Sequence, residues 1–290
     1  MKIALCLLTF IAACSAQPVL DERILTLANE SAYLSALAYE NATKFAILND
    51  SGNVTGFEHP DYEQISFYTE EPDQSIVAKK DGRCFIAFRG TSATASDWEQ
   101  NLDLREDQLY KNNDNSTGEF CTVRRGYSDF LRTSAFDSAA MTLLNCSQTC
   151  TDPTDCVVIT GHSQGGASAA VASILAYDLM PTIFTFGMPP AAKEGCTLIP
   201  SERLYRFVNH RKEENEVDDL GFDPVPYSPS IFSHSKHYGY YILVGPDKTA
   251  AKYLGFDQNY TFTPSLNDRQ NEIEAHTMAG KNYSYSARIE

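Results

Sequence analysis

A serine flanked by glycines, where a buried strand gives way to a helix, constrains this sequence more than any other feature. Residues 156–160 read CVVIT, an apolar run typical of a strand buried on both faces, and residues 167–179 are alanine-rich with a helical pattern. Between them stands GHSQG, residues 161–165. A G-x-S-x-G motif in this setting predicts a sharp strand-to-helix turn that presents the hydroxyl of Ser163 beyond the end of the strand.

The glycines of this turn have a steric role. So sharp a bend needs neighbours without bulk two residues either side of the serine, and Gly161 and Gly165 supply them. Gly166 and Ala167 then let the helix approach the sheet. We expect Ser163 to be exposed at the helix N-terminus, where free amides and the helix dipole favour developing negative charge. The alternative is an incidental serine in a tight glycine turn, and the flanking strand and small-residue helix argue against it.

Strands and helices alternate along the rest of the chain. Asp21 predicts the start of a helix that runs to about Tyr39, and further helical stretches cover residues 130–144 and 167–179. Continuous apolar runs predict strands at residues 83–88, 156–160, 182–186, 203–208 and 240–244. This alternation predicts an α/β fold with a mainly parallel central sheet and helices on both faces. Since no repeat or Gly/Ser/Pro linker divides the chain, we expect one domain over residues 17–290.

The N-terminus carries the pattern of a secretory signal peptide. In residues 1–16, MKIALCLLTFIAACSA, Lys2 precedes an apolar run that is too short to span a membrane and ends in small residues. A bacterial lipoprotein signal with a lipidated Cys14 is the alternative. Asn-x-Ser/Thr sequons are far more frequent than chance predicts, which favours a eukaryotic, secreted glycoprotein. The eight sequon asparagines are Asn29, Asn41, Asn49, Asn53, Asn115, Asn145, Asn259 and Asn282.

The cysteine count agrees with an oxidising compartment. Cys6 and Cys14 leave with the signal peptide, so an even number remains, which predicts disulfide bonds. Six cysteines allow 15 connectivities, and the sequence leaves the choice open. No CxxC pair with matching histidines is present, so no metal site is expected. The remaining cysteines are Cys84, Cys121, Cys146, Cys150, Cys156 and Cys196.

The charge balance excludes one large class of partner. Lys+Arg number 23 against 38 Asp+Glu, giving a net charge of -15 and a pI near 4.8. A protein that binds nucleic acid by neutralising phosphates has the opposite balance. Anionic membrane surfaces should also repel the chain, so we expect at most transient contact with lipid surfaces.

A serine hydroxyl needs a base, and the expected chain order is nucleophile, acid, histidine. Asp223 stands in the proline-stiffened segment FDPVP, residues 222–226, just past the predicted 203–208 strand. Asp218 and Asp219 are rival acids. Of the six histidines, His59 and His162 precede Ser163, and we expect His162 to be a packing or hydrogen-bonding residue of the turn. The histidines that follow are His210, His234, His237 and His276.

Further short motifs surround the elbow in a fixed order, and together they resemble those of a known family. They are FRGT at 88–91, DWEQNL at 97–102, RGY at 125–127, GHSQGG at 161–166, TFGMP at 185–189, VNH at 208–210, DPVP at 223–226 and AH at 275–276. The sequence resembles the class 3 lipases, the fungal lipase-like family of secreted α/β hydrolases. The resemblance covers about residues 21–285 and implies the α/β-hydrolase fold.

The resemblance also implies site residues. The match at residues 272–276 implies that His276 is the catalytic histidine, with His237 as the alternative. Asp223 would be the acid, although RKEENEVDDLGF at 211–222 separates it from the strand it usually follows. The amides of Thr91 and Gln164 would bind the oxyanion, with the Thr91 hydroxyl as a third donor. Gln164 stands where leucine is common in the family, a change that should spare the backbone amide. No cofactor is implied.

The segment after Thr91 corresponds to the mobile lid of the family. Residues 96–99, SDWE, read as a capping box, with Trp98 just inside it and Leu102 following. An ordinary surface helix that buries one tryptophan is the alternative. Carboxylates crowd this segment, so we expect weak interfacial adsorption and little or no interfacial activation.

The resemblance implies a secreted carboxylic-ester hydrolase that acts on acylglycerols through a Ser163, His276 and Asp223 triad and an acyl-enzyme. A phospholipase or an esterase for small soluble esters remains an alternative, because the motifs define the chemistry and leave the acyl pocket undefined. A non-catalytic lipid-binding protein on a lipase scaffold is a third, which the complete triad opposes. The substrate of the hydrolase would be a neutral ester or acylglycerol.

Overall fold

The computed structural model describes residues 20–71, 73–91, 105–150, 155–209, 223, 225–227, 235–244 and 251–255. Several of the predictions above concern residues outside this part of the chain. They are the signal peptide 1–16, the lid residues Trp98 and Leu102, the rival acids Asp218 and Asp219, the sequons at Asn259 and Asn282, and His276.

The described residues form four α-helices, several short 3-10 turns and fourteen strands. The helices are α1 Glu22–Leu37, α2 Arg125–Ser128, α3 Ser134–Ser147 and α4 Gln164–Leu175. The strands are β1 Ala46–Leu48, β2 Val54–Phe57, β3 Gln64–Glu70, β4 Asp73–Lys80, β5 Arg83–Phe88, β6 Glu106–Tyr110, β7 Phe120–Arg124, β8 Val157–His162, β9 Thr182–Phe186, β10 Ala192–Lys193, β11 Leu204–Asn209, β12 Ser235–Lys236, β13 Tyr240–Val244 and β14 Ala251–Gly255.

An eight-stranded sheet forms the centre of the fold, in the order β14-β13-β11-β9-β8-β5-β4-β3. Its five middle strands, β5, β8, β9, β11 and β13, pair in parallel, and antiparallel strands flank them on both sides. A four-stranded antiparallel sheet, β12-β10-β7-β6, and the hairpin β1-β2 complete the strands described. The predicted parallel centre is therefore confirmed.

Helices cover both faces of the central sheet, as predicted. Helix α1 buries its apolar side, including Leu27 and Leu34, in the same core as Phe85 and Val158. Alternate residues of the same strands, among them Ile86 and Ile159, point into a second core, which α3 and α4 cover. This division explains why the strands read as continuous apolar runs, because both faces of each strand are buried. Among the described residues, no helix is long and apolar enough to cross a membrane.

The predicted elements differ from the observed ones mainly at their ends. The carboxylate of Asp21 accepts a hydrogen bond of 2.8 Å from the N–H of Ile24, so α1 begins where the sequence predicts. Strands β5, β9 and β13 match their predicted bounds, whereas β8 runs two residues further, to His162. The helix predicted at 130–144 begins only at 134, because the Thr133 hydroxyl caps the N–H of Phe136.

All six cysteines of the expected mature chain pair with one another, as predicted. Cys84–Cys146 joins β5 to α3, and Cys121–Cys196 joins β7 to the segment after β10. Cys150–Cys156 closes the connection from α3 to β8. The three Sγ atoms of Cys84, Cys150 and Cys156 lie within 4.8 Å of one another, a spacing that would suit a metal ion. Each of these sulfur atoms belongs to a disulfide bond, so the cluster cross-links the chain near the start of β5 and β8.

The two neighbouring disulfides should differ in their contribution to stability. The first closes a sequence separation of 62 residues and the second a separation of 6. Chain-entropy arguments then predict a loss of about 4 kcal/mol for the double variant Cys84→Ala/Cys146→Ala and about 2 kcal/mol for Cys150→Ala/Cys156→Ala. Denaturant unfolding of the two variants measures the difference. Equal losses would mean that local packing, and not loop closure, sets their effect.

Candidate active site

Ser163 occupies a strained turn between β8 and α4. Its backbone has φ 57° and ψ -128°, a region that side-chain-bearing residues rarely adopt. The turn is held by hydrogen bonds, since the Ser163 N–H donates to the carbonyl of Phe186 at 2.9 Å and its own carbonyl accepts from Gly166 N–H at 3.0 Å. The strain thus persists because neighbouring backbone fixes both sides of the peptide.

The flanking glycines are required by close backbone contacts. A Cβ on Gly161 would lie 2.3 Å from the carbonyl oxygen of Gly165, and one on Gly165 would lie 2.2 Å from that of Phe88. No side chain fits at either distance. The predicted steric reason for the glycines is therefore confirmed. The contact of Gly165 with Phe88 also shows that α4 begins directly against the end of β5.

The structure brings three of the predicted site residues to the same edge of the central sheet. Parallel strands share their carboxyl edge, which is where open α/β sheets bind ligands. Ser163 follows the last residue of β8, and Thr91 stands three residues after β5. Asp223 is fixed at the end of β11, because its N–H donates to the carbonyl of Asn209 at 3.3 Å.

Asp223 is held in the interior beside the strand end. Its side chain is fully buried, and one carboxylate oxygen accepts a hydrogen bond of 2.9 Å from the N–H of Val225. The aspartate therefore contacts the end of β11, although it stands 14 positions after Asn209 in the sequence. The rival acids Asp218 and Asp219 lie outside the described residues.

Two backbone N–H groups are available beside the serine. Among the described residues, no acceptor takes a hydrogen bond from the N–H of Thr91 or of Gln164. The N–H of Gln164 belongs to the first turn of α4, where such groups lack helical partners and the helix dipole is positive. Unpaired donors on both sides of a nucleophile are what an oxyanion hole requires.

The side chain of Gln164 has a role that the sequence did not predict. Its carboxamide oxygen accepts a hydrogen bond from the Thr91 hydroxyl, and its nitrogen donates to the carbonyl of Gly126 at 2.8 Å. The glutamine thereby joins the loop after β5 to helix α2. In this state the Thr91 hydroxyl is engaged with Gln164, so the expectation that it serves as a third oxyanion donor requires a change of rotamer.

A tyrosine just after α1 also holds the loop after β5. The hydroxyl of Tyr39 lies 2.8 Å from Nδ1 of His162 and accepts a hydrogen bond from the N–H of Gly90. Burial raises the pKa of Tyr39 above its usual range, so the hydroxyl stays protonated. His162 is buried and bonded, as its predicted role in the turn requires. This pair could not be predicted from local sequence pattern, because 123 residues separate Tyr39 and His162.

Contrary to the prediction, Ser163 is buried. Only 7% of its surface is accessible, since the loop after β5 packs across the elbow. A Cβ built on Gly90 would lie 3.1 Å from the Cβ of Ser163 and 2.6 Å from the carbonyl oxygen of His162. The expectation of an exposed serine neglected this loop, which comes from a distant part of the chain.

His237 contacts the segment that carries the acid. Its Nε2 lies 2.5 Å from the carbonyl oxygen of Pro226 and donates to it, while its Nδ1 is buried and has no hydrogen-bond partner among the described residues. Burial, with a contribution from the charge of Arg206, lowers the pKa of His237 well below its usual range. A neutral ring bonded in this way helps to hold the segment that follows Asp223.

Comparison with known proteins gives one family and one fold. Residues 85–211 match the family described as lipase (class 3). No curated protein matches the chain. Among solved structures, a fungal lipase is 15% identical, with 93% of this chain and 99% of that chain covered and a TM-score of 0.61. The lipase of Rhizopus microsporus var. chinensis is 17% identical, with 93% and 86% covered and a TM-score of 0.57.

A third similar structure is one whose catalytic centre is known. It is a triacylglycerol lipase whose catalytic centre is described as a serine protease triad. It is 20% identical, with 77% of this chain and 81% of that chain covered and a TM-score of 0.50. These likenesses establish the α/β-hydrolase fold of fungal lipases for this chain.

Replacing Tyr39 by phenylalanine tests whether its hydroxyl positions the loop that carries Thr91. We expect kcat to fall about tenfold with KM nearly unchanged, less than the loss of a whole oxyanion donor, because the loop is loosened and not removed. Ester hydrolysis kinetics measure this. Tyr33→Phe is the matched control, since Tyr33 makes a similar contact of 3.1 Å with His59 away from the elbow. Equal losses in both variants would contradict the positioning role.

Proposed function

We propose that this chain is a class 3 lipase, on the match over residues 85–211, and that it is a serine ester hydrolase that works through Ser163, His276 and Asp223. The observation that carries the proposal is the elbow itself. Ser163 stands in a strained turn at the carboxyl edge of the sheet, and the N–H groups of Thr91 and Gln164 have no acceptor within the part of the chain that the structure describes. Strain of this kind concentrates at functional sites, and a structural serine has no need of it.

The proposed first step is attack by the Ser163 oxygen on an ester carbonyl. His276 takes the hydroxyl proton and returns it to the departing alcohol, leaving an acyl group on the serine oxygen. Water then adds to the acyl carbonyl, with the same histidine as base, and releases the carboxylic acid and free serine. Asp223 orients the histidine and stabilises its charged form without itself taking a proton.

The developing oxyanion would accept hydrogen bonds from the N–H groups of Thr91 and Gln164. Loss of one such donor costs about 10²- to 10³-fold in turnover in serine hydrolases. The Tyr39 hydroxyl and the Gln164 carboxamide support this role, because they hold the Thr91 loop from its two sides. Donors that are fixed before the reaction need no reorganisation when charge appears.

We propose neutral carboxylic esters, acylglycerols first among them, as the substrates. The family description and the triacylglycerol lipase among the similar structures support this choice. A phospholipase or small-ester esterase would use the same elbow, so rates across an acyl-chain-length series, with and without emulsion, separate these activities. A non-catalytic lipid-binding protein would fail to react with a fluorophosphonate probe.

We also propose that the protein is secreted after removal of residues 1–16. The three disulfides support an oxidising compartment, because such bonds are rare where thiols are kept reduced. N-terminal sequencing of protein from the culture medium of a eukaryotic host tests the cleavage site. A mature protein that begins with a lipidated Cys14 would support the lipoprotein alternative.

Ser163→Ala should abolish ester hydrolysis and leave the fold intact, because alanine keeps the backbone hydrogen bonds that hold the elbow. Removal of a triad serine costs about 10⁶-fold in turnover. Hydrolysis of a chromogenic ester, with circular dichroism as the folding control, measures this. A well-folded variant that kept a tenth of the activity would refute the assignment.

Asp223→Asn should lower turnover about 10⁴-fold, since an amide favours the wrong histidine tautomer. The control variants are Asp218→Asn and Asp219→Asn, which should keep nearly full activity. Steady-state kinetics of the three proteins decide between them. If Asp218→Asn or Asp219→Asn lost activity while Asp223→Asn kept it, the catalytic acid would lie within residues 211–222.

A further inference from the structure

Most of the large hydrophobic side chains exposed on the described surface lie beside glycosylation sequons. Seven of the nine do so, around Asn29, around Asn49 and Asn53, and around Asn145. Scattered apolar side chains are ordinary on protein surfaces, but their grouping at three modification motifs is not explained by chance exposure. The seven side chains are Leu25, Tyr33, Ile47, Leu48, Val54, Met141 and Leu144.

The hairpin β1-β2 gives the clearest case. Leu48 and Val54 are directly opposed across the strands and remain 58% and 52% exposed. The sequon asparagines form the next pair along the hairpin, since the N–H of Asn49 donates to the carbonyl of Asn53 at 2.9 Å. Two attachment points therefore bracket one uncovered apolar pair.

Helix periodicity produces the same arrangement on α1 and α3. Leu25 and Tyr33 stand four residues before and four after Asn29, on the same side of the helix. Met141 stands four residues before Asn145 on α3, and Leu144 is its direct neighbour. In both helices an exposed sequon asparagine adjoins exposed apolar side chains.

The geometry of the asparagines suits modification. All six sequon asparagines of the described chain are exposed, and none donates a hydrogen bond through Nδ2 to a described residue. At Asn49 the side-chain oxygen instead accepts from the N–H groups of Ser51 and Asn53, at 3.0 and 2.9 Å. A sugar on Nδ2 leaves these bonds in place.

We propose that N-linked glycans at Asn29, Asn49, Asn53 and Asn145 cover these apolar side chains and keep the secreted protein from associating through them. Glycans are bulky and solubilising, whereas exposed apolar clusters promote association. The inference rests on the proposed secretory route and is independent of the catalytic proposal. Asn41, beside the exposed Lys44 and Glu40 ion pair, has no such cluster to cover.

The modification is a group transfer from a lipid-linked oligosaccharide diphosphate. A bond forms between Nδ2 and the anomeric carbon of the sugar, the bond from that carbon to the diphosphate oxygen breaks, and the amide proton leaves with the lipid diphosphate. Ser31, the third residue of the Asn29 sequon, is fully buried. Transfer at Asn29 therefore precedes the packing of helix α1.

Occupancy is tested on the full chain secreted from a eukaryotic host. Peptide N-glycosidase in ¹⁸O-labelled water converts each glycosylated asparagine to a labelled aspartate, which mass spectrometry locates. We expect label at Asn29, Asn49, Asn53 and Asn145. Unlabelled Asn49 and Asn53 in the secreted protein would overturn the proposal.

The covering role is tested by removing the hairpin glycans without removing the asparagines. The variant Ser51→Ala/Thr55→Val destroys both sequons and keeps the backbone donors to Asn49. We expect light scattering below the unfolding temperature to grow several-fold faster, with Tm and esterase activity close to those of the parent. Adding Leu48→Thr and Val54→Thr should restore the parent rate, because threonine keeps the strand propensity and removes the apolar pair.

Thr43→Val is the matched control, because it removes the Asn41 sequon by the same kind of change. It should leave the association rate unchanged. An equal rise in this control, or no rise in the hairpin variant, would overturn the proposal. Endoglycosidase trimming of the folded parent protein repeats the test on an unaltered chain, and it too must raise the association rate.

Discussion

The strained peptide at Ser163 is the constraint on which the site depends. A positive φ at a serine costs free energy, of the order of 1–3 kcal/mol, so the surrounding structure must enforce it. The hydrogen bond from Ser163 to the end of β9 does so on one side, and the close contact of Gly165 with Phe88 does so on the other. The elbow is thus possible only between two parallel strands whose carboxyl ends are already fixed.

Polar contacts between distant segments then complete the site. Tyr39 follows the first helix, Gly90 follows β5 and His162 ends β8, yet one hydroxyl joins all three. Gln164 makes a second junction, between Thr91 and the short helix at Gly126. Each junction lies beside a backbone N–H that the proposed mechanism uses, so preorganisation of the oxyanion donors depends on residues that never touch the ester.

The sequence predicted the parts of this fold that depend on local pattern. The elbow, the cap at Asp21 and the buried parallel strands follow from glycine spacing, capping chemistry and apolar runs. Strand β4 escaped prediction because it buries the polar Gln74, whose side-chain nitrogen donates to the distant carbonyl of Ala38 at 2.8 Å. The four-stranded sheet escaped because its strands are short and partly polar.

The same distinction holds for the site. Ser163 could be predicted from its neighbours, since its chemistry and its geometry lie in one segment. The disulfide pairing, the bridge made by Gln164 and the burial of Ser163 could not, because each depends on contacts between segments far apart in the chain. The return of Asp223 to the end of β11, across thirteen intervening residues, is likewise a tertiary property.

A crystal structure of the protein after reaction with a phosphonate ester tests the central claim most directly. The account predicts a bond from the Ser163 oxygen to phosphorus, with the phosphoryl oxygen about 3 Å from the backbone nitrogens of Thr91 and Gln164. Phosphorus on another side chain, or a phosphoryl oxygen directed away from both nitrogens, would contradict it.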